Sequence, residues 1–187
     1  MKIFEVGVGE YWQSRTSKYI NTDVECWLFE PNPISFSEIY KNLSTYKNFK
    51  LFNCALGSQN KKIKLNLAKG ASFIEGINAP IASKKDFQKV EVEMKSIREF
   101  DNGDIDVLLL DIEGGEFDVL KSLLSRPKHI VVEMFSFGVN YVNPYFDEIV
   151  EWMNRNNYIL NKKGNIYSLS PWPDPVEFVG DFYYSLK

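Results

Sequence analysis

The stretch Ile105-Asp106-Val107-Leu108-Leu109-Leu110-Asp111-Ile112-Glu113-Gly114-Gly115-Glu116 decides how this chain is read. A nearly unbroken apolar run bounded by turn residues marks a strand covered on both faces. Such strands belong to parallel sheets whose connections pack helices against them. Gly114-Gly115 ends the strand, and Glu116 to Leu124 follows with Phe117, Leu120 and Leu124 spaced for one side of a helix.

The same unit recurs outward from that stretch. Upstream, Ile3 to Val6 and Val24 to Phe29 are short apolar runs. Gly7-Val8-Gly9 turns the chain after the first, and a helix is expected from Ser14 to Ile20. Pro31-Asn32-Pro33 closes the second run and starts a helix through Leu43, with Ile34, Ile39 and Leu43 as inward positions. Lys50 to Asn53 is a third strand. Downstream, Ile130-Val131-Val132 is another buried strand, and Asn143-Pro144 opens a helix to about Asn156. Tyr158 to Leu160, Ile166 to Leu169 and Phe178 to Tyr184 are strand candidates without a helix between them, so the last should pair antiparallel. The fold expected is α/β and Rossmann-like, a mostly parallel sheet with helices on both faces and an antiparallel C-terminal strand.

One domain over residues 1–187 suits this length. Lys61 to Leu67 and Val90 to Met94 alternate polar and apolar like half-exposed strands. Gly70 to Phe87 has no period and is expected as a surface loop or lid, within a loop or lid insertion over residues 66–95. The net charge of −3 offers no general attraction for a phosphate backbone, so no nucleic-acid partner is expected. No apolar run approaches the length of a membrane span, and the N-terminus lacks a signal-peptide core. The two cysteines, Cys26 and Cys54, lie in apolar runs expected to be neighbouring strands, as free thiols of a reducing compartment, and the cytoplasm is the expected address.

In doubly wound sheets, ligands bind at the carboxyl ends of the strands. Three strand ends here combine acids with glycine or proline: Glu5 to Gly9, Glu30-Pro31, and Asp111 to Glu116. Gly7 and Gly9 permit a sharp turn close to a ligand, and Glu30 is spaced to grip ribose hydroxyls. Dinucleotide sites place a third glycine where this chain has Trp12, and no Walker-type lysine follows. The ligand expected is therefore a nucleoside without phosphate at this turn. S-adenosylmethionine fits, and its sulfonium would be favoured by Glu5 or Asp111.

At these residues the sequence resembles the FkbM family of methyltransferases. Phe29-Glu30-Pro31-Asn32-Pro33 is similar to the family's second motif, and Asn53-Cys54-Ala55-Leu56-Gly57 to its third-strand motif lining adenine. Gly70-Ala71-Ser72 matches its Gly-x-Ser loop, and Ser96 to Phe100 stands where the family has a Thr-Leu-Asp-like stretch. The stretch from Ile105 to Glu116, followed by Val119-Leu120, matches most closely. The first motif departs: Glu5 replaces an Asp, and Tyr11 stands at a later glycine position. The helix that precedes the first strand in the family is not seen, so part of the cover over the cofactor is expected to be missing. The resemblance implies a class I fold and methyl transfer from S-adenosylmethionine to a hydroxyl, often on a sugar or glycosylated metabolite, with S-adenosylhomocysteine as product. A small molecule or glycan is the expected partner.

Cofactor contacts are accordingly expected from Glu5, Gly7, Gly9, Glu30, Pro31, Asn53, Cys54, Ala55, Leu56 and Asp111. Asp111, Glu113 and Glu133 are the candidate catalytic acids, because a hydroxyl must lose a proton as it attacks. Glu116 is expected as a helix-end acid. His129 lies at the wrong end of its strand, about 13 Å from Glu133 at ~3.3 Å per residue. No complete set of metal ligands is evident. Phe135, Phe137, Tyr141, Tyr145 and Phe146 either form a platform for a sugar face or pack a helix onto the sheet. N-methylation, methylation of another small metabolite, a nucleoside-binding module without chemistry, and NAD-dependent oxidoreduction remain alternatives.

Overall fold

Strands β1 (Lys2–Val6), β2 (Glu25–Phe29), β3 (Phe49–Phe52), β8 (Val107–Leu110) and β9 (His129–Phe137) lie side by side in the order β3-β2-β1-β8-β9, all parallel. Strand β12 (Phe178–Leu186) pairs antiparallel with β9, and β11 (Tyr158–Lys163) pairs antiparallel with β12. The computed structural model describes residues 1–68, 72–77, 87–137, 141–143, 145–163 and 178–187. The strand expected at Ile166 to Leu169 lies outside them.

Helix α1 (Pro33–Leu43) starts where the Asn32 side chain accepts the Ile34 amide, with Pro33 in the first turn. Its buried stripe is Ser35, Ile39 and Leu43. Ile34, expected inward, is 67% exposed, because one residue of helix turns about 100° away from that stripe. Helix α3 (Phe146–Arg155) buries Ile149 and Met153 on the opposite face of the sheet. There it joins Phe4, Phe29, Leu108, Leu110, Ile130 and Val132 in the larger core. On the α1 side, Val8, Cys26, Leu28, Ile39, Leu43 and Phe49 form the smaller one. Strand β8 is fully buried only at Leu108 and Leu110; Val107 and Leu109 are half-buried, and Leu109 borders a cavity.

Two expected helices are changed. The crossover from β1 to β2 holds 3-10 turns at Tyr11–Gln13 and Ser17–Tyr19 instead of a helix from Ser14 to Ile20. The Glu5 carboxylate accepts bonds from Ser14 Oγ and from the Arg15 and Thr16 amides, which diverts this backbone from a helical path. Helix α2 (Glu116–Leu120) stops short of Leu124, which is exposed. Asp101 takes the Leu124 and Ser125 amides at 2.7 and 2.8 Å and bends the chain away.

A second sheet carries β4 (Ala55–Gly57), β5 (Lys61–Leu67), β6 (Phe73–Ile74) and β7 (Gln88–Ser96) in the order β4-β7-β5-β6. The insertion expected as loop over 66–95 is thus largely strand in its described parts. Ile63 and Leu65 alternate with exposed Lys62 and Lys64, and Val90 and Val92 face them across the register. Residues 69–71 and 78–86, where most of the lid expectation falls, lie outside the described residues, as does the helix-opening Pro144. Strand β10 (Tyr141–Val142) pairs antiparallel with the end of β9.

Candidate active site

The carboxyl ends of β1, β2, β8 and β9 open into a cavity of about 770 Å³. Its floor depends on Gly7. The Gly7 amide donates to Phe29 O at 2.9 Å, and its φ is +79°. A Cβ there would stand 1.7 Å from the Asp111 carbonyl oxygen, so only glycine lets the β1 turn meet the end of β8. Gly9, at φ +70°, leaves the corresponding space to Gln13 Oε1.

Glu30 is buried at the end of β2. Its Oε2 accepts the Gly9 amide and its Oε1 the Asn32 amide, both at 2.8 Å. Burial raises its carboxyl to about 7 against these bonds. With the Val8 amide also donating to this carboxylate, about one acceptor site remains for a hydroxyl donor. Pro31, Ser35 and Ser72 border the same region, and Ser72 Oγ accepts from Asn32 Nδ2 at 3.1 Å. Cys54, Ala55 and Leu56 line the next part of the wall, completed from the second sheet by Leu65, Ile74 and Met94. Asn53 is not among the lining residues. Its amide donates instead to the Glu30 and Pro31 carbonyls at 2.8 and 3.3 Å, clamping β3 to β2.

Acids gather at the other end. Asp111 follows Leu110, the last residue of β8; Glu133 follows Leu110's register partner, Val132; and Asp181 on β12 is paired with Glu133. Asp111, Glu113 and Glu133 bring carboxylate oxygens within 4.8 Å of one another. That is close enough to share a proton or a cation. The cation beside them is the guanidinium of Arg15, 2.9 Å from Asp111 Oδ2 and 2.8 Å from Asp181 Oδ1, and we assign no metal ligand. Burial, then the Asp111 and Glu113 charges, push Glu133 well above the usual carboxylate range, and Arg15 opposes this. Burial and the Asp111 and Glu116 charges raise Glu113 to about 8.

Two further acids build this end without facing it freely. Glu5 borders the cavity, but its oxygens accept Ser14 Oγ, the Arg15 amide, the Thr16 amide and Thr16 Oγ1, at 2.5–3.2 Å. Three of these bonds converge on Oε2 and one on Oε1, so Glu5 is mainly committed to holding the loop that carries Arg15. Glu116 is buried; its Oε1 takes the Ile112 and Gly114 amides and its Oε2 takes Asn143 Nδ2. It shapes the turn in which Glu113 has φ +54°, a conformation non-glycine residues seldom adopt.

His129 is exposed at the opposite end of β9. Trp12 is 73% exposed, with its indole on Glu10, so it does not block the glycine turn. What separates this turn from a pyrophosphate site is the 3-10 turn after it, where such sites set an α-helix N-terminus. Tyr145 borders the cavity and stacks on Phe117 with ring centroids 5.6 Å apart. Phe146 instead packs inward against the core, edge-on to Phe182. The side chains of Phe135, Phe137 and Tyr141 are outside the described residues. Sequence reasoning missed Arg15 and Asp181; an arginine in the loop after the glycine turn was the one available signal.

A parallel sheet with its last strand inserted antiparallel, and a cavity at the ends of β1, β2 and β8, defines the Rossmann-like class I fold of S-adenosylmethionine-dependent methyltransferases. The match to the methyltransferase FkbM domain extends over residues 5–160, and the chain belongs to that family. Among solved structures, methyltransferase FkbM from Methylobacillus flagellatus KT superposes with a TM-score of 0.57 at 14% identity. That match covers 98% of this chain, which spans 43% of that protein's length. Precorrin-6y C5,15-methyltransferase from Geobacter metallireducens GS-15 gives a TM-score of 0.51 at 12% identity, over 100% of this chain and 81% of that one. Aeropyrum pernix fibrillarin, solved with natively bound S-adenosyl-L-methionine, gives 0.52 at 10%, over 98% and 65%. No curated protein matches the chain in sequence.

The cavity fits the cofactor of that class. Buried Glu30 offers an acceptor for a ribose hydroxyl, the Cys54–Leu56 wall offers an apolar seat for adenine, and Asp111 offers negative charge to a sulfonium.

Proposed function

We propose that this protein transfers a methyl group from S-adenosylmethionine to a hydroxyl of a sugar or glycosylated small molecule. One observation carries the reading: the acids at the ends of β8 and β9 border the same cavity as Tyr145, an aromatic ring 43% exposed and braced by Phe117. An exposed ring beside carboxylates suits a sugar, whose C–H face stacks while its hydroxyls donate to the acids. The cofactor supplies an electrophilic methyl on a cationic sulfur.

The chain does the rest. Glu30 holds the ribose, Gly7 and Gly9 let the backbone lie close, and Leu56 and Met94 cover the base. Asp111 faces the positive sulfur. Glu133 takes the hydroxyl proton as the C–O bond forms and the C–S bond breaks, its electron pair going to sulfur. Most of the acceleration comes from holding oxygen, methyl and sulfur in line. The two free, buried thiols suit a reducing compartment, and we place the protein in the cytoplasm.

The test is transfer of labelled methyl to a panel of neutral glycosides, amines and phenols, with the linkage identified by NMR. O-methyl glycosides are expected, with turnover falling by a factor of about 10²–10⁴ in Glu133→Gln and unchanged in His129→Asn. Exclusive N-methyl products would overturn the hydroxyl assignment.

A further inference from the structure

Among the described residues, the charges at the acidic end do not balance. Glu133 is faced by Asp111 from the end of β8, Glu113 from the following turn, Asp181 from β12 and Arg15 from the loop after β1. Glu5, on β1, stands behind Arg15 and is bonded to that loop. Among the described residues, Arg15 is the cation paired with this group. Its two terminal nitrogens are committed to Asp111 and Asp181. Glu133 is the register partner of Asp181, and its carboxylate shares one cluster with those of Asp111 and Glu113.

We infer that the Asp111–Glu133 pair holds one proton in the cofactor-free protein, releases it when a sulfonium binds beside Asp111, and takes a new one from the acceptor hydroxyl during transfer. The proposal rests on the methyl-transfer reading above. Its ground is geometric: three carboxylates whose oxygens lie within 4.8 Å of one another, in a half-buried site, with one guanidinium already shared between two neighbours. Carboxylates so placed cannot all ionise unless a further positive charge arrives. The strong upward push on Glu133 from burial and from Asp111 agrees with a retained proton.

The step balances. With a sulfonium bound, the pair carries two negative charges. The hydroxyl O–H bond breaks and its proton moves to Glu133. The oxygen forms the new C–O bond, and the C–S bond breaks with its electrons left on sulfur. One positive charge disappears from sulfur as one proton arrives on the pair, so the net charge of the site is unchanged. The neutral thioether then leaves behind the same protonated pair from which the cycle began. The base is thus available only while the charged methyl donor is in place.

The experiment needs no acceptor. Binding of S-adenosylmethionine and of S-adenosylhomocysteine is measured by calorimetry near neutral pH, with EDTA present, in two buffers of different ionisation enthalpy. The difference between buffers counts protons. About one more proton should be released per S-adenosylmethionine bound than per S-adenosylhomocysteine, any release from Glu30 being common to the two ligands. Glu133→Gln should abolish this excess while still binding S-adenosylhomocysteine. A second measurement does not depend on that variant folding. In wild type, the preference for S-adenosylmethionine over S-adenosylhomocysteine should grow with pH, by up to about tenfold per unit while the pair is protonated. Equal proton counts for the two ligands, or a preference flat with pH, would overturn the inference and leave the methyltransferase reading standing. Failure of both ligands to bind would overturn both.

Discussion

Glu133 and Asp181 are register partners in the antiparallel pairing of β9 with β12, so two carboxylates face each other directly across the strands. Like charges so placed cost stability. The chain keeps the arrangement by running Arg15 from a distant loop onto Asp181 and Asp111. If the cluster has the role proposed for it, folding stability and activity should move in opposite directions in its variants.

Glu30 should matter most to cofactor affinity. Its oxygens already hold the Gly9 and Asn32 amides, and a ribose would add to them. Glu30→Ala should weaken S-adenosylhomocysteine by about 1.5–3 kcal/mol, the scale of a hydrogen bond to a charged group. Because burial raises Glu30 to about 7, affinity in wild type should also fall as pH drops below that value. Calorimetry from pH 5.5 to 8.5 (roughly the window set by this titration) checks both; an Ala variant with wild-type affinity would remove Glu30 from the ribose.

Gly7→Ala should be among the most damaging single changes. The added carbon would lie 1.7 Å from the Asp111 carbonyl oxygen, and the φ of +79° is unfavourable for any side chain. The strain alone costs of order 1–3 kcal/mol. Separating β1 from β8 would also misplace Asp111. Loss of both melting temperature and S-adenosylhomocysteine binding is expected, and a variant that keeps both would show that the turn can be rebuilt.

The sequence displayed the parts of this site that depend on local pattern. A buried apolar run ending in Asp-Ile-Glu-Gly-Gly states where a parallel strand stops, and that places Asp111 and Glu113. Glu133 follows from the next such run. Asn53 shows the limit: its position at a strand end was right, but its side chain turns to backbone carbonyls rather than the cavity. Arg15 and Asp181 were illegible for a different reason. Their meeting requires β12 to fold back beside β9 and the Ser14–Thr16 loop to be pinned by Glu5, and neither leaves a periodic trace. The second sheet was half visible, as alternation in β5 and β7, because pairing between separated strands cannot be read from either alone.

Glu113 offers a test of that relation at one residue. Its φ of +54° is a conformation that favours glycine, and burial raises its carboxyl to about 8. Glu113→Gly should stabilise the cofactor-free protein by about 1 kcal/mol through the backbone alone. The raised carboxyls set the pH dependence. A folded pKa above the unfolded one means the folded state binds more protons, so stability falls as pH rises between the two values. For Glu30 and Glu113 that window runs from the ordinary carboxylate range up to about 7 and about 8. Melting temperature in wild type should therefore decline across it, and Glu113→Gly should flatten the upper part. A wild-type melting temperature that rises through this range would contradict the raised values.

Arg15 should be needed for stability in proportion to the charge it neutralises. Burial disfavours its cation, yet Asp111, Asp181, Glu133 and Glu5 together outweigh that and keep it charged. Arg15→Met removes the guanidinium and leaves its carboxylates facing one another. The side chains are partly exposed, so the loss should fall below the 3–5 kcal/mol typical of breaking a fully buried pair. We expect roughly 1–3 kcal/mol, growing with pH as the remaining acids ionise. Asp181→Asn in the Arg15→Met background should recover part of it, because it removes the acid opposite Glu133. In the wild-type background the same change strands one end of Arg15 and should destabilise. Opposite signs for one substitution in two backgrounds are the mark of a direct interaction in a double-mutant cycle. Chemical denaturation of the four proteins at two pH values measures it. If Asp181→Asn costs the same with and without Arg15, the ion pair contributes nothing, and another interaction must keep Asp181 against Glu133.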